Sequence, residues 1–295
     1  MLSLKRRKVS NVKRLRLQLE GYSIRIHISL IEKSQPMQLP SSIIDLSISL
    51  DNETITDHDI MRPHIEYADN RSNAGMMCSM FPGLTPSDLP DGEGWAWEKI
   101  TLVTHNGTHM DAPYHFHSKD KNGDPMMTID EVPLDWFFRP GVKLDFRDLP
   151  DGHVVRADEV KAELKRIGHD LRPFDIVLVN TRASECYGSD EYLTAGIGMG
   201  REATLYLTSK GVRVTGIDAW GWDAPFSSTA KKFEATKDPS IIWEGHYAGI
   251  ETPYCHMEKL YNLEKLPASG FVVSCFPFKI KSASAGWTRA VAMFD

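Results

Sequence analysis

The segment HNGTHMDAPYH, from residue 105 to residue 115, places four potential metal-binding side chains within eleven residues and constrains the fold more than any other part of the chain. These side chains are His105, His109, Asp111 and His115. All four occupy odd-numbered positions, and side chains of equal parity point to the same side of an extended segment. The spacing therefore predicts an extended segment whose four polar side chains converge on one point.

A helix is a poor alternative for this segment. Gly107 and Pro113 both disfavour a helix, and Asp111 would lie two residues away from the helical face that His105 and His109 share. Imidazole and carboxylate groups without thiolate form the ligand set of a catalytic zinc or manganese site. The alternative is a polar loop whose histidines bond to backbone groups, which explains a single histidine more readily than this cluster.

The motif His-x-Gly-Thr-His-x-Asp-x-Pro-x-His resembles the signature of the metal-dependent cyclase family of hydrolases. That family includes bacterial kynurenine formamidases, isatin hydrolase and a trans-dienelactone hydrolase. His246 is followed twelve residues later by Glu258, as in members with two metals, and residues 270–292 resemble the family's closing strands. The resemblance runs from about residue 43 to the end. It departs at residues 282–286, where SASAG replaces a glycine-rich loop that faces the substrate.

The resemblance implies a swivelling β/β/α fold and a metal-dependent hydrolase of a small amide, lactam or lactone. It implies that His105, His109 and Asp111 hold one divalent ion. It also implies that Asp111 bridges to a second ion held by His246 and Glu258. The expected cofactors are therefore one or two Zn or Mn ions per chain.

His115 is the expected proton shuttle, because it shares the face of the motif and an imidazole has a reference pKa of about 6.5. A structural histidine is the alternative. Cys255 lies between His246 and Glu258, but we do not expect it to bind metal. The four cysteines are widely spaced without a C-x-x-C pair, which favours reduced thiols and a cytoplasmic protein.

Charge is distributed unevenly along the 295 residues. Residues 1–39 hold nine Lys and Arg against two acidic residues, whereas the remainder holds 25 basic and 38 acidic residues. Met37 precedes the family-like opening at residue 43, so we expect a dispensable basic extension over 1–36 and one hydrolase domain over 37–295. The acidic body argues against nucleic acid as a partner, and no apolar run approaches the roughly 18 residues of a membrane span.

The pattern of apolar residues predicts an α/β fold, a mixed sheet with packed helices. Strands are expected at 94–104, 142–146, 175–180, 212–217, 271–276 and 289–294. Helices are expected from Asp158 to Gly168 and over 201–210, which implies parallel strands with crossover helices. Residues 51–94 are expected to be irregular, and the glycine-rich run 196–200 to be a flexible turn rather than a phosphate loop.

Four tryptophans are candidates for flat walls around a cyclic or aromatic substrate, although tryptophans are also common in cores and interfaces. They are Trp95, Trp97, Trp220 and Trp222. The apolar loop surface further suggests a homo-oligomer, a dimer or tetramer, with a small molecule as the other partner.

Two other function classes stay open. A metal-dependent lyase or isomerase would use the same site to polarise a carbonyl for proton abstraction. A non-catalytic, metal-stabilised binding module would fill all coordination positions of its ion with protein ligands. This carboxylate-rich set suits a site with open coordination positions better. The sequence does not distinguish among amide, lactam and lactone substrates, and relatives with this motif hydrolyse formyl-aromatic amides, isatin or lactones.

Overall fold

The three strands predicted near residues 142, 175 and 212 form the centre of a nine-stranded mixed sheet in the computed structural model. The structure describes residues 12–19, 22–29 and 39–295. It contains fifteen strands in the described residues. They are β1 (Val12–Leu19), β2 (Tyr22–Ser29), β3 (Ser42–Asp45), β4 (His64–Ala68), β5 (Trp97–Thr101), β6 (His109–Asp111), β7 (Phe138–Asp145), β8 (Val154–Val155), β9 (Ile176–Asn180), β10 (Gly198–Met199), β11 (Val214–Ile217), β12 (Cys255–Glu258), β13 (Ser269–Ser274), β14 (Ala285–Trp287) and β15 (Val291–Phe294).

The large sheet has the strand order β14-β6-β12-β11-β9-β7-β13-β15-β3. The pairings of β12 with β11, β11 with β9 and β9 with β7 are parallel, and the remaining pairings in this sheet are antiparallel. A mixed α/β sheet is thus confirmed. Strand β6, which carries part of the histidine motif, lies between β12 and β14, and both of these come far later in the chain.

Six α-helices connect or cover the strands in the described part of the chain. They are α1 (Ala74–Ser79), α2 (Pro113–Phe116), α3 (Ala157–Ile167), α4 (Arg201–Ser209), α5 (Phe226–Thr236) and α6 (Glu244–Tyr247). Helices α3 and α4 match the two predicted helices. The predicted end of α3 at Gly168 is confirmed, while its N-cap is Arg156 rather than Asp158, because Glu159 bonds back to the Arg156 backbone at 2.8 Å.

The sheet buries an apolar layer on each face, which explains why β9 (IVLVN) has four consecutive apolar residues, Ile176 to Val179, before Asn180. One layer includes Val177, Val179 and Ile217 together with α3 and α4. The other includes Met110, Ile176 and Leu178. Because successive side chains of a strand point to opposite faces, a strand between two such layers cannot alternate apolar and polar residues.

Two expectations about loops are wrong. Residues 51–94 are not irregular throughout, because they contain α1 and β4, and β4 pairs with β5 in a separate two-stranded antiparallel sheet. The glycine-rich run contains β10, which pairs with β8 and is buried. A Cβ on Gly198 would lie 1.8 Å from the Ala224 backbone nitrogen, so glycine permits close packing there rather than flexibility.

Strands β1 and β2 form an antiparallel pair, with Val12 opposite Ser29 and Leu19 opposite Tyr22. These two strands belong to one unit, and residues 41–295 form another. The expected role of residues 1–36 as a dispensable extension lies largely outside the described residues and stays a prediction.

All four cysteines are buried and free. Cys255 and Cys275 belong to the apolar layer around Met110, which accounts for their burial without metal binding. Among the described residues, no helix combines the length and the apolar character needed to cross a membrane.

Candidate active site

The histidine motif is extended only in its middle, over β6. Gly107 has a φ of 57°, and a Cβ at this position would lie 2.6 Å from the Leu50 side chain, so the chain turns there on a residue that must be glycine. Pro113 begins α2, where its missing amide hydrogen costs no hydrogen bond. The prediction of one extended segment from 105 to 115 is therefore wrong at both ends.

The side chains of the motif nevertheless converge, because Asp111 lies at their centre. Its Oδ1 atom is 2.9 Å from His105 Nδ1 and 3.3 Å from His109 Nε2. Its Oδ2 atom is 3.7 Å from His115 Nε2. The turn at residue 107 and the helix after residue 112 thus bring these side chains together. Their shared odd numbering in an extended segment was expected to do so.

The second half of the site comes from β12 and α6. Strand β12 lies antiparallel to β6 with Glu258 opposite His109, which brings Glu258 Oε2 within 3.5 Å of His109 Nε2. Helix α6 contributes His246, whose Nε2 atom is 3.7 Å from Glu258 Oε1. The structure thus brings together all six histidine and carboxylate residues that the sequence suggested.

His256 joins this cluster and was not predicted. It is fully buried, and its Nε2 atom lies 3.1 Å from Asp111 Oδ2 and 3.1 Å from Glu258 Oε1. One signal could have identified it. His256 and Glu258 have the same parity on a short strand, so their side chains point to the same side.

The donors form two groups that could each hold a metal ion, and both groups contain Asp111. One group is fully buried and comprises Asp111, His246, His256 and Glu258. The other comprises His105, Asp111 and His115, and its two histidines are half-buried. His109 belongs to neither group, yet its Nε2 atom lies close to both Asp111 and Glu258.

Three buried atoms of this cluster make no hydrogen bond in the described structure: His109 Nε2 and both carboxylate oxygens of Asp111. Imidazole nitrogens lie close to the Asp111 oxygens, at 2.9 Å for His105 Nδ1 and 3.1 Å for His256 Nε2, without forming hydrogen bonds. Buried polar atoms without partners are costly, and side chains that point at a common centre without bonding to one another suit ligands of an ion. The residues present therefore fit a divalent metal with nitrogen and oxygen ligands.

The two carboxyl groups are strongly acidic. Burial raises the pKa of Asp111, but the neighbouring imidazoles of His115 and His109 outweigh burial and hold this pKa well below its usual range. Burial likewise raises the pKa of Glu258, but the hydrogen bond from His256 lowers it to about 2. Both groups are therefore carboxylates at neutral pH, as metal binding requires.

The imidazoles differ in their proton affinity. Burial lowers the pKa of His256, but the carboxylates of Asp111 and Glu258 outweigh burial and raise it to about 9. For His115 burial prevails over the attraction of Asp111, and its pKa falls to about 4. His115 is therefore neutral at pH 7, a form that can either accept a proton or bind a metal.

Hydrogen bonds fix which nitrogen of each buried histidine faces the cluster. His109 Nδ1 lies 2.8 Å from the Gly107 carbonyl oxygen, so Nδ1 carries the hydrogen and Nε2 is free. His246 Nδ1 makes a short contact with the Asp223 carboxylate, which also accepts hydrogen bonds from the backbone amides of Gly245 and His246. Such contacts orient metal-binding histidines in proteins.

A cavity of about 230 Å³ opens onto this cluster, and its walls are largely apolar. His105, His115, His246 and Glu258 face it on one side. Its apolar walls include Met61, Leu193, Trp220, Phe226 and Trp243.

Of the four tryptophans predicted to contact substrate, only Trp220 lines this cavity. Trp222 is fully buried and stacks on His256, with centroids 5.6 Å apart. Trp95 and Trp97 lie at the start of the small β4–β5 sheet, outside the cavity lining, because the predicted strand leading into the motif belongs to that separate sheet. A second cavity-lining tryptophan that the sequence did not reveal, Trp243, stacks on His246 with centroids 4.3 Å apart.

Comparison with known proteins identifies the same group of enzymes. The Cyclase family model matches residues 44–224. The kynurenine formamidase of Salinibacter ruber is 28% identical over 193 residues, which cover 65% of this chain and 77% of the relative. The isatin hydrolase of Roseibium aggregatum is 26% identical over 225 residues, which cover 69% of this chain and 76% of the relative.

Solved structures share the fold. Isatin hydrolase A from Labrenzia aggregata, bound to benzyl benzoate, has a TM-score of 0.65 and 24% identity, covering 86% of this chain and 93% of its own. Isatin hydrolase A from Ralstonia solanacearum has a TM-score of 0.67 and 20% identity, and the match covers 86% of this chain and 92% of the hydrolase chain. The predicted α/β fold of the family is thereby confirmed.

Proposed function

The chain belongs to the Cyclase family, and on that premise we propose that it is a metal-dependent hydrolase that cleaves the C–N bond of a small amide. The observation that carries the proposal is the shared carboxylate of Asp111, which is buried, ionised and unpartnered among the histidines. The cluster faces an apolar cavity through its more exposed members, as a catalytic site must. The names of the relatives, kynurenine formamidase and isatin hydrolase, support amide hydrolysis.

The buried ligands would hold Zn or Mn, since the donor set is imidazole and carboxylate. A divalent ion bound there supplies a water of lowered pKa, about 7, and polarises a carbonyl oxygen. Asp223 orients His246, and the Gly107 carbonyl orients His109, so the two imidazoles present a fixed nitrogen to the centre. The apolar walls exclude competing water from the bound amide.

We assign the proton transfer to His115. Its ring lines the cavity, and its lowered pKa keeps it neutral at pH 7, ready to accept a proton from the attacking water. Returning that proton to the leaving nitrogen completes the reaction: one acyl–nitrogen bond breaks, and water supplies the hydroxyl of the acid and the hydrogen of the amine.

For the substrate we propose a neutral aromatic amide rather than an amino acid. The charged side chains of the cavity lining are already engaged: Asp223 with His246, Lys259 with Asp57, and Glu258 with His256. A substrate with a free carboxylate and ammonium would therefore meet apolar walls and leave its charges without partners, which is costly. A flat ring matches Trp220, Trp243 and Phe226.

Parallel assays of isatin, N-formylkynurenine and a dienelactone with Mn- and Zn-loaded protein test these assignments. We expect turnover that disappears when a chelator removes the metal, and a higher kcat/KM for isatin than for N-formylkynurenine. The reverse preference would refute the assignment of a neutral substrate, while leaving amide hydrolysis in place. Full activity without metal would exclude the mechanism.

The same assays separate the alternative functions. Hydrolysis adds one water to the mass of the substrate, whereas an isomerase leaves the mass unchanged and a lyase lowers it. A metal-stabilised module would bind ions without turning over any of the three compounds.

A further inference from the structure

A buried ion pair joins Lys259 to Asp57 next to the histidine and carboxylate cluster. Lys259 follows Glu258 in the chain and is 1% exposed, and Asp57 is fully buried. Lys259 Nζ donates to Asp57 Oδ1 at 2.5 Å and to the His105 carbonyl oxygen at 2.7 Å. The ammonium also lies 5.5 Å from the centre of the Trp220 ring, a cation–π contact.

Asp57 extends these contacts to a wall of the cavity. Its Oδ2 atom accepts hydrogen bonds from Thr56 Oγ1 and from Asn106 Nδ2, each at 3.1 Å. Asn106 Nδ2 also donates to the backbone carbonyl of Met61, whose residue lines the cavity. The pair therefore joins three segments that are distant in sequence: residues 56–61, the loop at 105–106, and the end of β12.

The backbone of Lys259 is held in an unusual conformation. Its φ is 55°, in the left-handed region that a lysine rarely adopts. Its amide donates to the Ala219 carbonyl at 3.0 Å, and its own carbonyl accepts from Thr108 Oγ1 at 2.6 Å. Strain of this kind persists only where the surroundings enforce it, and it is concentrated at functional sites.

We propose that Lys259 and Asp57 are positioning residues, which fix the loop at His105 for metal binding and hold residues 57–61 as a wall of the substrate cavity. This inference rests on the proposed metal centre. A buried ion pair adds little net stability compared with an apolar pair of the same size, so geometry is the benefit that the pair provides. The Lys259 ammonium holds the loop directly, through the His105 carbonyl. It holds the cavity wall through Asp57, whose partner Asn106 also donates to the Met61 carbonyl.

Two simpler roles make different predictions. If the pair acted only through charge, removing the ammonium would strengthen cation binding and removing the carboxylate would weaken it. If the pair served only folding, an uncharged replacement that restores stability would also restore metal binding. Positioning instead requires that every variant weaken metal binding, whatever its charge or stability.

The test uses the full chain, stripped of metal and titrated with Mn²⁺ and, separately, Zn²⁺, while the melting temperature of the metal-free protein is recorded. The variants are Lys259→Met, Asp57→Asn and the double variant. We expect the Kd for Mn²⁺ to rise about 10–100-fold in all three, as for other groups that orient metal ligands. The double variant should recover most of the melting temperature lost by either single variant, because no buried charge is left alone.

Lys143→Met is the matched control. Lys143 is also a buried lysine, 8% exposed, and its Nζ atom donates to the Leu266 carbonyl at 2.6 Å, but it lies on β7, four strands from β6. This variant should lower the melting temperature and leave the Kd unchanged. Substrate kinetics add a second measurement, in which Lys259→Met raises KM more than it lowers kcat.

Opposite shifts of Kd in the two single variants, or a normal Kd in the double variant, would overturn the proposal while leaving the metal centre intact. A wild-type chain that binds neither ion overturns the metal centre and, with it, this inference. Should Lys259→Met fail to fold, the double variant, which leaves no buried charge, decides the question.

Discussion

The two donor groups that share Asp111 differ mainly in how deeply they are buried. All residues of the group with His246, His256 and Glu258 are buried, although His246 and Glu258 reach the cavity. In the other group His105 and His115 are half-buried, and both line the cavity. Enclosed ion sites are typical of structural roles and open ones of catalysis. We therefore expect the first group to anchor an ion and the second to contact the substrate.

Replacing Asp111, which both donor groups share, should disable both groups. Asp111→Asn removes a charge from both groups, so we expect metal content to fall towards zero and kcat/KM to fall at least about 10³-fold, equivalent to several kcal/mol. Metal analysis and steady-state kinetics measure both effects. Asp175→Asn is the control, since Asp175 is also buried and lies 3.0 Å from His169, away from the site.

His115→Ala tests the catalytic side of the comparison. If His115 moves protons, kcat should fall about 10²–10⁴-fold while metal content stays at the wild-type level. His117→Ala provides the control, because His117 is exposed and bonds only locally to Lys119. A loss of metal in the His115 variant would make it a ligand with His105 and Asp111 instead.

Asp223→Asn tests the enclosed side. Without the carboxylate, His246 is no longer held with Nε2 towards the centre, and we expect metal affinity to fall about 10–100-fold. The Kd for Mn²⁺ reports this directly. Glu159→Gln is the control, because Glu159 Oε1 lies 2.8 Å from His153 Nε2 in a similar contact outside the site. This variant should leave the Kd for Mn²⁺ unchanged. An unchanged Kd in Asp223→Asn would mean that stacking on Trp243 alone orients His246.

The smallest effect is expected from removing residues 1–36. A chain that starts at Met37 keeps both donor groups and every strand of the large sheet, so its melting temperature and turnover should match those of the full chain. Differential scanning fluorimetry and a kinetic assay compare the two chains. A marked loss in either measurement would show that the basic segment stabilises the domain.

Features carried by local sequence were predicted well. Strands β7, β9 and β11 and helices α3 and α4 follow from apolar runs and helical spacing, which depend on neighbours within a few residues. The histidine motif is equally local. By contrast, the pairing of β6 with β12 joins residues almost 150 positions apart, and no spacing in the sequence specifies it.

The missed residues share one cause. His256, Trp243 and Lys259 each contact a residue that is distant in the chain: Asp111, His115 and Asp57, respectively. A lysine is normally exposed, so the burial of Lys259 depends on a partner, Asp57, that its own neighbours do not reveal. Trp95 and Trp97 lie outside the cavity lining for a similar reason, since β5 pairs with β4 rather than with the motif.

The position of β6 also governs when the centre can assemble. Its two neighbours, β12 and β14, are made long after it, since they span Cys255–Glu258 and Ala285–Trp287. During synthesis, at about 5–20 residues per second, the motif therefore leaves the ribosome many seconds before either neighbour. For that interval His105, His109 and Asp111 form an exposed, unpaired segment. The complete set of donors, which includes His256 and Glu258, can therefore assemble only late in the synthesis of each molecule.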